Sequence, residues 1–417
     1  MTNTEQTDGI VLRPFQEDEF RTAVEFINSM FFEALHEEDV EEERTLLDLE
    51  RTTLLADGDE IVGTAGIYTR RMTVPGAVVP TAAVTWVGVA PTHRRRGLLT
   101  RMMKHQLHGL HNAADGEPVA ALWASETAIY GRFGYGMAIR RGFVEAQLRD
   151  IPIRPDLRPT GGQVRQLSPK AALPDLVSVY EQARPSRTGF LDRTDPWWQR
   201  KIHDPEYDRN GFTPVRAAVY SVDGRPEAYA LYRVKESDTQ VGPDSLLQVK
   251  ELIGTSGAAE LAIWEFITSL DLLRRVEWYN APLDLPIRHA VVESRRIADR
   301  TSDSIWVRLV DVDRALAART YSAAVDVVLD VTDTLCGWNA DRWRLRAEPG
   351  KPATCERTQA PADLALSVTE LGAAYLGGTS LATLAAAGRV TELRAGALRE
   401  AAIAFLEPRP PFCNDGF

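Results

Sequence analysis

The sequence predicts a chain of α/β and α+β class in three parts: two successive α/β units of similar outline over residues 1–150 and 151–300, then an α+β module over 301–417. Three observations predict this. A hairpin, a central strand and a helix follow one another twice in the same order. A stretch crowded with breakers, Ile151-Pro-Ile-Arg-Pro-Asp-Leu-Arg-Pro-Thr-Gly-Gly, separates the two copies. Past Ser304 the pattern changes to alternating strands mixed with short helices. A length of 417 residues is also too great for one compact core.

Taken in order, Ile10-Val-Leu-Arg-Pro-Phe reads as a short strand, and Glu17 to His36 has the apolar spacing of a helix. Asp57-Gly58-Asp59 between two apolar runs is a hairpin signal. A second turn at Pro75-Gly76 leads into the apolar strand Ala82-Ala-Val-Thr-Trp-Val-Gly-Val, followed by a helix from Leu98 to Leu110 and a strand at Val119-Ala-Ala-Leu-Trp-Ala. In the second copy, Leu173 to Ala183 reads as a helix. Asp223-Gly224 turns a hairpin, Leu246 to Leu252 is a strand, and Ala258 to Leu273 is a helix. Ile305-Trp-Val-Arg-Leu-Val and Ala324-Val-Asp-Val-Val-Leu-Asp-Val read as strands of the third module. The tail, Glu407-Pro-Arg-Pro-Pro-Phe-Cys-Asn-Asp-Gly-Phe417, has too many prolines for a regular helix or central strand and must be extended.

Composition excludes several classes. The net charge of −11 argues against a general nucleic-acid binder, because phosphate contacts need clustered Lys and Arg. It suits a cationic substrate drawn to an acidic surface. No apolar run approaches the length of a membrane span, and Met1 to Asp8 is too polar for a secretory leader, so a cytoplasmic location is expected. Cys336, Cys355 and Cys413 have no metal-ligand spacing and read as incidental thiols. His105, His108 and His111 share one helix, but three-residue spacing drifts round it and nothing completes a ligand shell. No metal is expected. Trp197 and Trp198 read as packing anchors of the second unit.

The strongest chemical signal is Trp86-Val87-Gly88-Val89-Ala90-Pro91-Thr92-His93-Arg94-Arg95-Arg96-Gly97-Leu98-Leu99-Thr100. A strand runs into a basic, glycine-containing turn that opens a helix. The first N–H groups of a helix lack partners and lie at the positive end of its dipole, so they favour a phosphate. Gly97 lets the backbone approach, Arg95 and Arg96 add charge, and Gly88 suggests a bulge that frees backbone groups for an amide-like ligand. The second copy lacks such a turn.

Here the sequence resembles the GNAT superfamily of N-acetyltransferases, whose signature is Arg/Gln-x-x-Gly-x-Gly/Ala. Arg94-Arg95-Arg96-Gly97-Leu98-Leu99 departs from it at the final small residue. That departure, the block Ala124-Ser125-Glu126-Thr127-Ala128-Ile129-Tyr130-Gly131-Arg132-Phe133-Gly134-Tyr135-Gly136 and the terminal Phe417 resemble the enhanced-intracellular-survival (Eis) branch. The resemblance covers essentially the whole chain. It implies an acetyltransferase domain over 1–150, a degenerate acetyltransferase-like domain over 151–300, and a sterol-carrier-protein-like domain over 301–417 with a catalytic tail. It implies acetyl-CoA contacts at Val87, Gly88, Val89, Arg95, Arg96, Gly97, Leu98, Leu99, Thr100, Ser125 and Glu126. Tyr130 falls on the general acid, and the α-carboxylate of Phe417 on the general base. Phe31, Glu33, Trp123 and Asp415 fall at or near the amine pocket, although Glu33 reads equally as part of a solvated helix face. The implied acceptors are polyamine-like substrates, aminoglycosides at several positions and protein lysines, and the implied assembly is a homohexamer. Trp123 for a polar ring, and Gly416 for an acidic residue, are departures that bear on the pocket's shape and charge.

Both catalytic roles need tuning. A free α-carboxyl has a pKa of about 3.5 and is a feeble base toward an ammonium unless desolvated or acting through a water. A tyrosine at about 10 against a thiol at about 8.5 gives up its proton uphill, by about 2 kcal/mol. No Cys or Ser stands beside a base in these blocks, so direct transfer without an acyl-enzyme is expected. The competing reading is an acetyl-CoA-sensing assembly without turnover.

Overall fold

The computed structural model describes residues 5–7, 9–240 and 242–417. Residues 1–4 and 8 of the polar leader stretch lie outside them. Among the described residues, three principal sheets organise the chain, of eight, seven and five strands.

The first sheet is built around the long hairpin Glu60–Val74 and Ala77–Val89, turned by Pro75-Gly76. Ile10–Pro14 and Thr53–Asp57 flank it on one side and Val119–Trp123 on the other. Helix Phe20–Phe31 buries Phe20, Ala23, Val24 and Ile27 at i, i+3, i+4 and i+7 spacing, with Ala83 and Trp86 in the same core. Helix Leu98–Asn112 buries Leu98, Met102, Met103, Leu107 and Leu110 against the sheet's other face. The second sheet repeats this plan. Arg216–Val222 and Arg225–Lys235 form its hairpin, Ser245–Gly254 is its central strand, and helices Pro169–Ala183 and Gly257–Ser269 cover it. The last helix ends at Ser269, short of the Leu273 expected from sequence, because Leu273–Ala281 is a strand of the sheet.

The chain order and the sheet order disagree at two places. Arg140–Gln147 lies in sequence with the first unit, yet it pairs with Leu273–Ala281 and Ala298–Asp303 in the second sheet. Ile305–Leu309, which reads as the start of the third module, pairs with Val119–Trp123 in the first sheet, with Gly136–Met137 beyond it at the edge. Alternating apolar residues say that a segment is a strand, but not which edge it joins. The two units therefore exchange their last strands and are laced together.

The third module has strands Val325–Thr332, Asp341–Ala347, Thr354–Arg357, Leu364–Ser367 and Val390–Glu392, covered by helices that include Val368–Ala374 and Ala397–Phe405. Its core is continuous with the first unit: Val307 and Leu309 pack with Leu371, Tyr375 and Leu376. His111 stacks on Trp338 with ring centroids 4.1 Å apart and lies 2.5 Å from Asp311, a packing contact between the first helix layer and this module. Among the described residues, no helix is long and apolar enough to cross a membrane.

The Pro-rich tail follows helix Ala397–Phe405 as extended chain and returns between the units. Phe412 N–H donates to Thr188 O at 2.9 Å. The approach is so close that a Cβ on Gly189, whose φ is +96°, would lie 2.6 Å from Phe412 O. Phe412, Cys413, Asn414 and Asp415 are buried, and only Gly416 and Phe417 re-emerge.

Candidate active site

The parallel ladder between strands Ala77–Val89 and Val119–Trp123 is confined to residues 81–83 and 119–121. Among the described residues, positions 84–89 thus have a ladder partner on one side only, strand Glu60–Val74. The two strands splay. The irregularity expected at Gly88 lies slightly earlier: the register shifts opposite Ala65, and Trp86 adopts a left-handed φ of 54°. Gly88 lies close beneath helix Phe20–Phe31: a Cβ there would lie 3.1 Å from Ile27 Cδ1 and 3.3 Å from Met30 Cγ, so those side chains would have to shift by a few tenths of an ångström.

Backbone parity follows from one bond. Ala90 N–H donates to Val62 O at 2.9 Å, so Gly88, two residues earlier, also turns its backbone toward Glu60–Val74. Val87 and Val89 turn theirs the other way, into the open side. Arg94 Nε donates to Val89 O at 3.3 Å from that side. The N–H groups of Val87 and Val89 thus face the gap, where they can donate to a ligand amide or thioester oxygen.

The splay opens onto the basic turn. Arg94, Arg95, Arg96 and Gly97 are exposed, and helix Leu98–Asn112 starts directly after them. Gly97 sits at φ 77° and Arg95 at φ 64°. A non-glycine residue held in the left-handed region costs about 1–2 kcal/mol and marks a constrained turn. The helix N-terminus has no side-chain cap, which leaves its first N–H groups directed at the turn. Leu98 is buried in the core beneath, Leu99 is half-buried, and Thr100 is exposed on the first helical turn. Ser125 and Glu126 are exposed just beyond the end of Val119–Trp123, on the far side of the gap. Open backbone donors, guanidinium charge and a splayed strand pair fit a CoA thioester: phosphates at the turn, pantetheine amides along Val87 and Val89. Replacing Gly97 by Ala meets no atom within 4 Å, so its cost is conformational alone. Gly97→Ala is expected to weaken acetyl-CoA binding about tenfold in calorimetry, equivalent to about 1.4 kcal/mol of turn strain.

Tyr130 ends the short helix Thr127–Tyr130 and is buried among Leu122, Val84 and Phe133. Tyr135 meets it edge-on at 6.1 Å. Burial pushes the Tyr130 hydroxyl up to about 12.

Phe417, half-buried, packs against the core that holds Trp86 and Ala83. Trp123 does not line the neighbouring cleft. Its indole N–H instead donates to Asp415 O at 2.8 Å and so holds the tail. Asp415 was expected in the amine pocket. It does touch the cleft, but its carboxylate is buried between Arg193 (Nη2–Oδ1 2.7 Å), Lys201 (Nζ–Oδ1 3.2 Å) and Arg70 (Nη2–Oδ2 3.6 Å). Burial alone would raise its pKa, but the three cations outweigh burial and hold it well below the usual carboxylate range. The charge is already neutralised.

The cleft, of about 690 Å³, is bounded by Trp86 and Gly416, the chain neighbours of Val87 and Phe417. Glu33 lines it, and among the described residues has no ion-pair partner; Phe31 lies outside it on the surface, 46% exposed. The sequence reading missed how much acid the second unit and helix Glu37–Leu46 add: Asp39, Glu42, Glu43, Asp204 and Asp208. Arg200, Lys201 and Lys250 oppose them. Glu43 accepts from Tyr68 Oη at 2.6 Å and from Arg200, which buttresses the wall. Burial raises the pKa of Glu42, a rise that the Arg200 and His203 charges partly oppose. The acids of helix Glu37–Leu46 are neighbours in sequence, but the surface that faces them lies some 160 residues further on, as Arg200 to Glu43 shows.

Comparison with known proteins agrees with this geometry. Two acetyltransferase (GNAT) domain families match residues 11–138 and 189–309, and a sterol carrier protein domain family matches 312–414. An N-acetyltransferase of Streptomyces avermitilis is 45% identical over 377 residues, spanning 90% of this chain and 91% of that protein. N-acetyltransferase Eis of Mycobacterium tuberculosis is 35% identical over 385 residues, spanning 88% of this chain and 89% of its own. The crystal structure of Eis1 from Mycobacterium abscessus superposes with a TM-score of 0.84 at 34% identity, covering 97% of this chain and all of that one. The chain belongs to the Eis family of GNAT-superfamily N-acetyltransferases, acetyl-CoA-dependent enzymes that acetylate amines.

Proposed function

We propose that this enzyme moves an acetyl group from acetyl-CoA directly to primary amines of polycationic acceptors, aminoglycosides at several positions, with protein lysines as a second acceptor class. The observation that carries the reading is the acidic cleft bounded by Trp86, within the splayed segment, and by Gly416, one residue from Phe417. Acetyl-CoA supplies the activated acyl group. Val87 and Val89 N–H stabilise negative charge on the carbonyl oxygen, the basic turn holds the phosphates, and Leu98, Leu99 and Thr100 form the helical floor beneath them. Ser125 and Glu126 border the opposite edge. The Phe417 carboxylate takes the ammonium proton, directly or through a water, and Tyr130 Oη donates toward the sulfur as it leaves. Asp415 anchors the tail instead of binding the amine. The relatives' name supports the Eis-type reading; assembly as a homohexamer is the expectation that the sequence resemblance carries with it.

A mass-spectrometric count of acetyl groups on a panel of aminoglycosides, linear polyamines and lysine peptides tests this. More than one acetyl group on a single aminoglycoside is expected. If thiol release stays at background for every polycation while a neutral amine is turned over, the acceptor assignment fails. Glu33 is exposed, so its attraction for an ammonium is modest, about 0.2–1 kcal/mol. Glu33→Gln should raise the KM of a polycationic amine about threefold, leave kcat unchanged, and lose its effect in 1 M salt.

A further inference from the structure

The second acetyltransferase-like unit has the same splay as the first. Its central strand Ser245–Gly254 pairs in parallel with Leu273–Ala281 only as far as Gln248 and Glu277. Just beyond, the antiparallel ladder with Arg225–Lys235 shifts register, so that Lys250 is extra and Glu251 faces Leu231. Glu251 is thus the first residue past the bulge, the position Gly88 holds in the first unit.

The two splayed strands are bridged by consecutive residues of the C-terminal tail. Asn414 Nδ2 donates to Glu251 Oε2 at 2.6 Å on one strand, and Asn280 Nδ2 on the other donates to Cys413 O at 3.2 Å. Arg193 locks the arrangement: its guanidinium donates to both Glu251 oxygens, at 3.0 and 2.6 Å, and to Asp415 Oδ1 at 2.7 Å. Lys201 Nζ donates to Asn414 O at 2.9 Å and lies 3.1 Å from Glu251. The side chains of Arg193, Glu251 and Asp415 are 5% exposed or less, and three cations, Arg193, Lys201 and Arg70, face two carboxylates. Such a buried cluster is stable only with every member in place. The strand-to-helix turn of this unit is filled as well. Ser256 caps helix Gly257–Ser269, and the Glu260 side chain folds back over Gly254. A hydroxyl and a carboxyl stand where the first unit leaves donors open.

We infer that the splayed strands of the second unit are a binding site for the chain's own C-terminus, and that Glu251, Asn280 and Arg193 are positioning residues for the terminal carboxylate. The unit did not merely lose a donor site. Its wedge became the seat that delivers Phe417, three residues past Asn414, to the first unit's splay. This rests on the reading of Phe417 as the base.

The test uses full-length protein and two variants: Asn280→Ala combined with Asn414→Ala, which removes two hydrogen bonds, and Arg193→Met. Each is made with Phe417 present and with it deleted. Hydrogen exchange of residues 406–417 by mass spectrometry, acetyl-CoA stoichiometry, kcat and KM are measured. Loss of one neutral hydrogen bond and one to the Glu251 carboxylate should speed tail exchange at least about tenfold and lower kcat at least about tenfold, with the acetyl-CoA KM unchanged. The kcat loss should vanish in the Phe417-deleted background, because both changes act on one group. Unchanged tail exchange in both variants, or two acetyl-CoA bound per chain, overturns the seat. An equal kcat loss in both backgrounds overturns the positioning role while leaving Phe417 as base. Full activity after Phe417 deletion removes the base reading, and tail exchange alone then decides the seat.

Discussion

Removal of Phe417 is expected to lower kcat at least about 100-fold while acetyl-CoA affinity stays within about twofold, since a well-placed general base contributes roughly 10²–10⁴. The tail is anchored upstream, by Asp415 in its cation cluster and by the Trp123 indole on Asp415 O. Deleting the last residue therefore leaves the anchor intact and withdraws the carboxylate by one residue, about 3.5 Å. That exceeds hydrogen-bond reach. Appending one glycine keeps the aromatic ring, turns the Phe417 carboxylate into an amide, and should cost about as much. The pair of variants separates the carboxylate from the ring. If the glycine extension is as active as the parent, Phe417 acts by packing and the base lies elsewhere. Calorimetry with acetyl-CoA checks the second half, because the groups that anchor the tail, Trp123, Arg193 and Lys201, lie outside the turn at Gly97.

Tyr130→Phe is expected to reduce kcat about 10²–10³-fold, the loss typical of one donor aimed at developing charge. The structure changes what this residue can do. With burial holding its hydroxyl at about 12, passing its proton to a thiolate is uphill by about 5 kcal/mol, against the 2 expected from unperturbed values. Tyr130 therefore serves chiefly as a hydrogen-bond donor to the sulfur, keeping its proton until late in the reaction. The sign of the pH dependence follows. The active form is the protonated one and its pKa is raised, so activity requiring it persists as pH rises and is lost only toward about 12. A kcat profile with an alkaline limb near pH 9 that disappears in Tyr130→Phe would falsify this. Folding carries the same sign: the unfolded tyrosine ionises near 10, so its contribution to stability is present below that and declines as pH climbs toward 12.

The geometry of the proposed donor site was legible because it is local. Residues 86–100 place a strand, a basic turn, a left-handed glycine and a helix start in one unbroken segment, and each acts on its nearest neighbours. The hairpins at Asp57-Gly58 and Asp223-Gly224 were legible for the same reason. Even here the bulge was misplaced. Glycine in a strand reads as a bulge, whereas Gly88 makes room for Ile27 and Met30, and Trp86 takes the strained conformation. Packing of a distant helix decided that position, and strand spacing carries no record of it.

By itself the sequence determined the fold class, the repeat of two α/β units, the basic glycine turn before a helix and an extended tail, because propensity, turn chemistry and periodicity act over a few residues. Tertiary structure alone decided the exchange of strands Arg140–Gln147 and Ile305–Leu309 and the second wall of the acidic cleft. It also decided the role of Asp415. A carboxylate's charge is written in the chain, but whether it meets an amine or a guanidinium depends on what lies beside it. For Asp415 that partner is Arg193, 222 residues away, in a site dry enough that the pairing holds the tail in place.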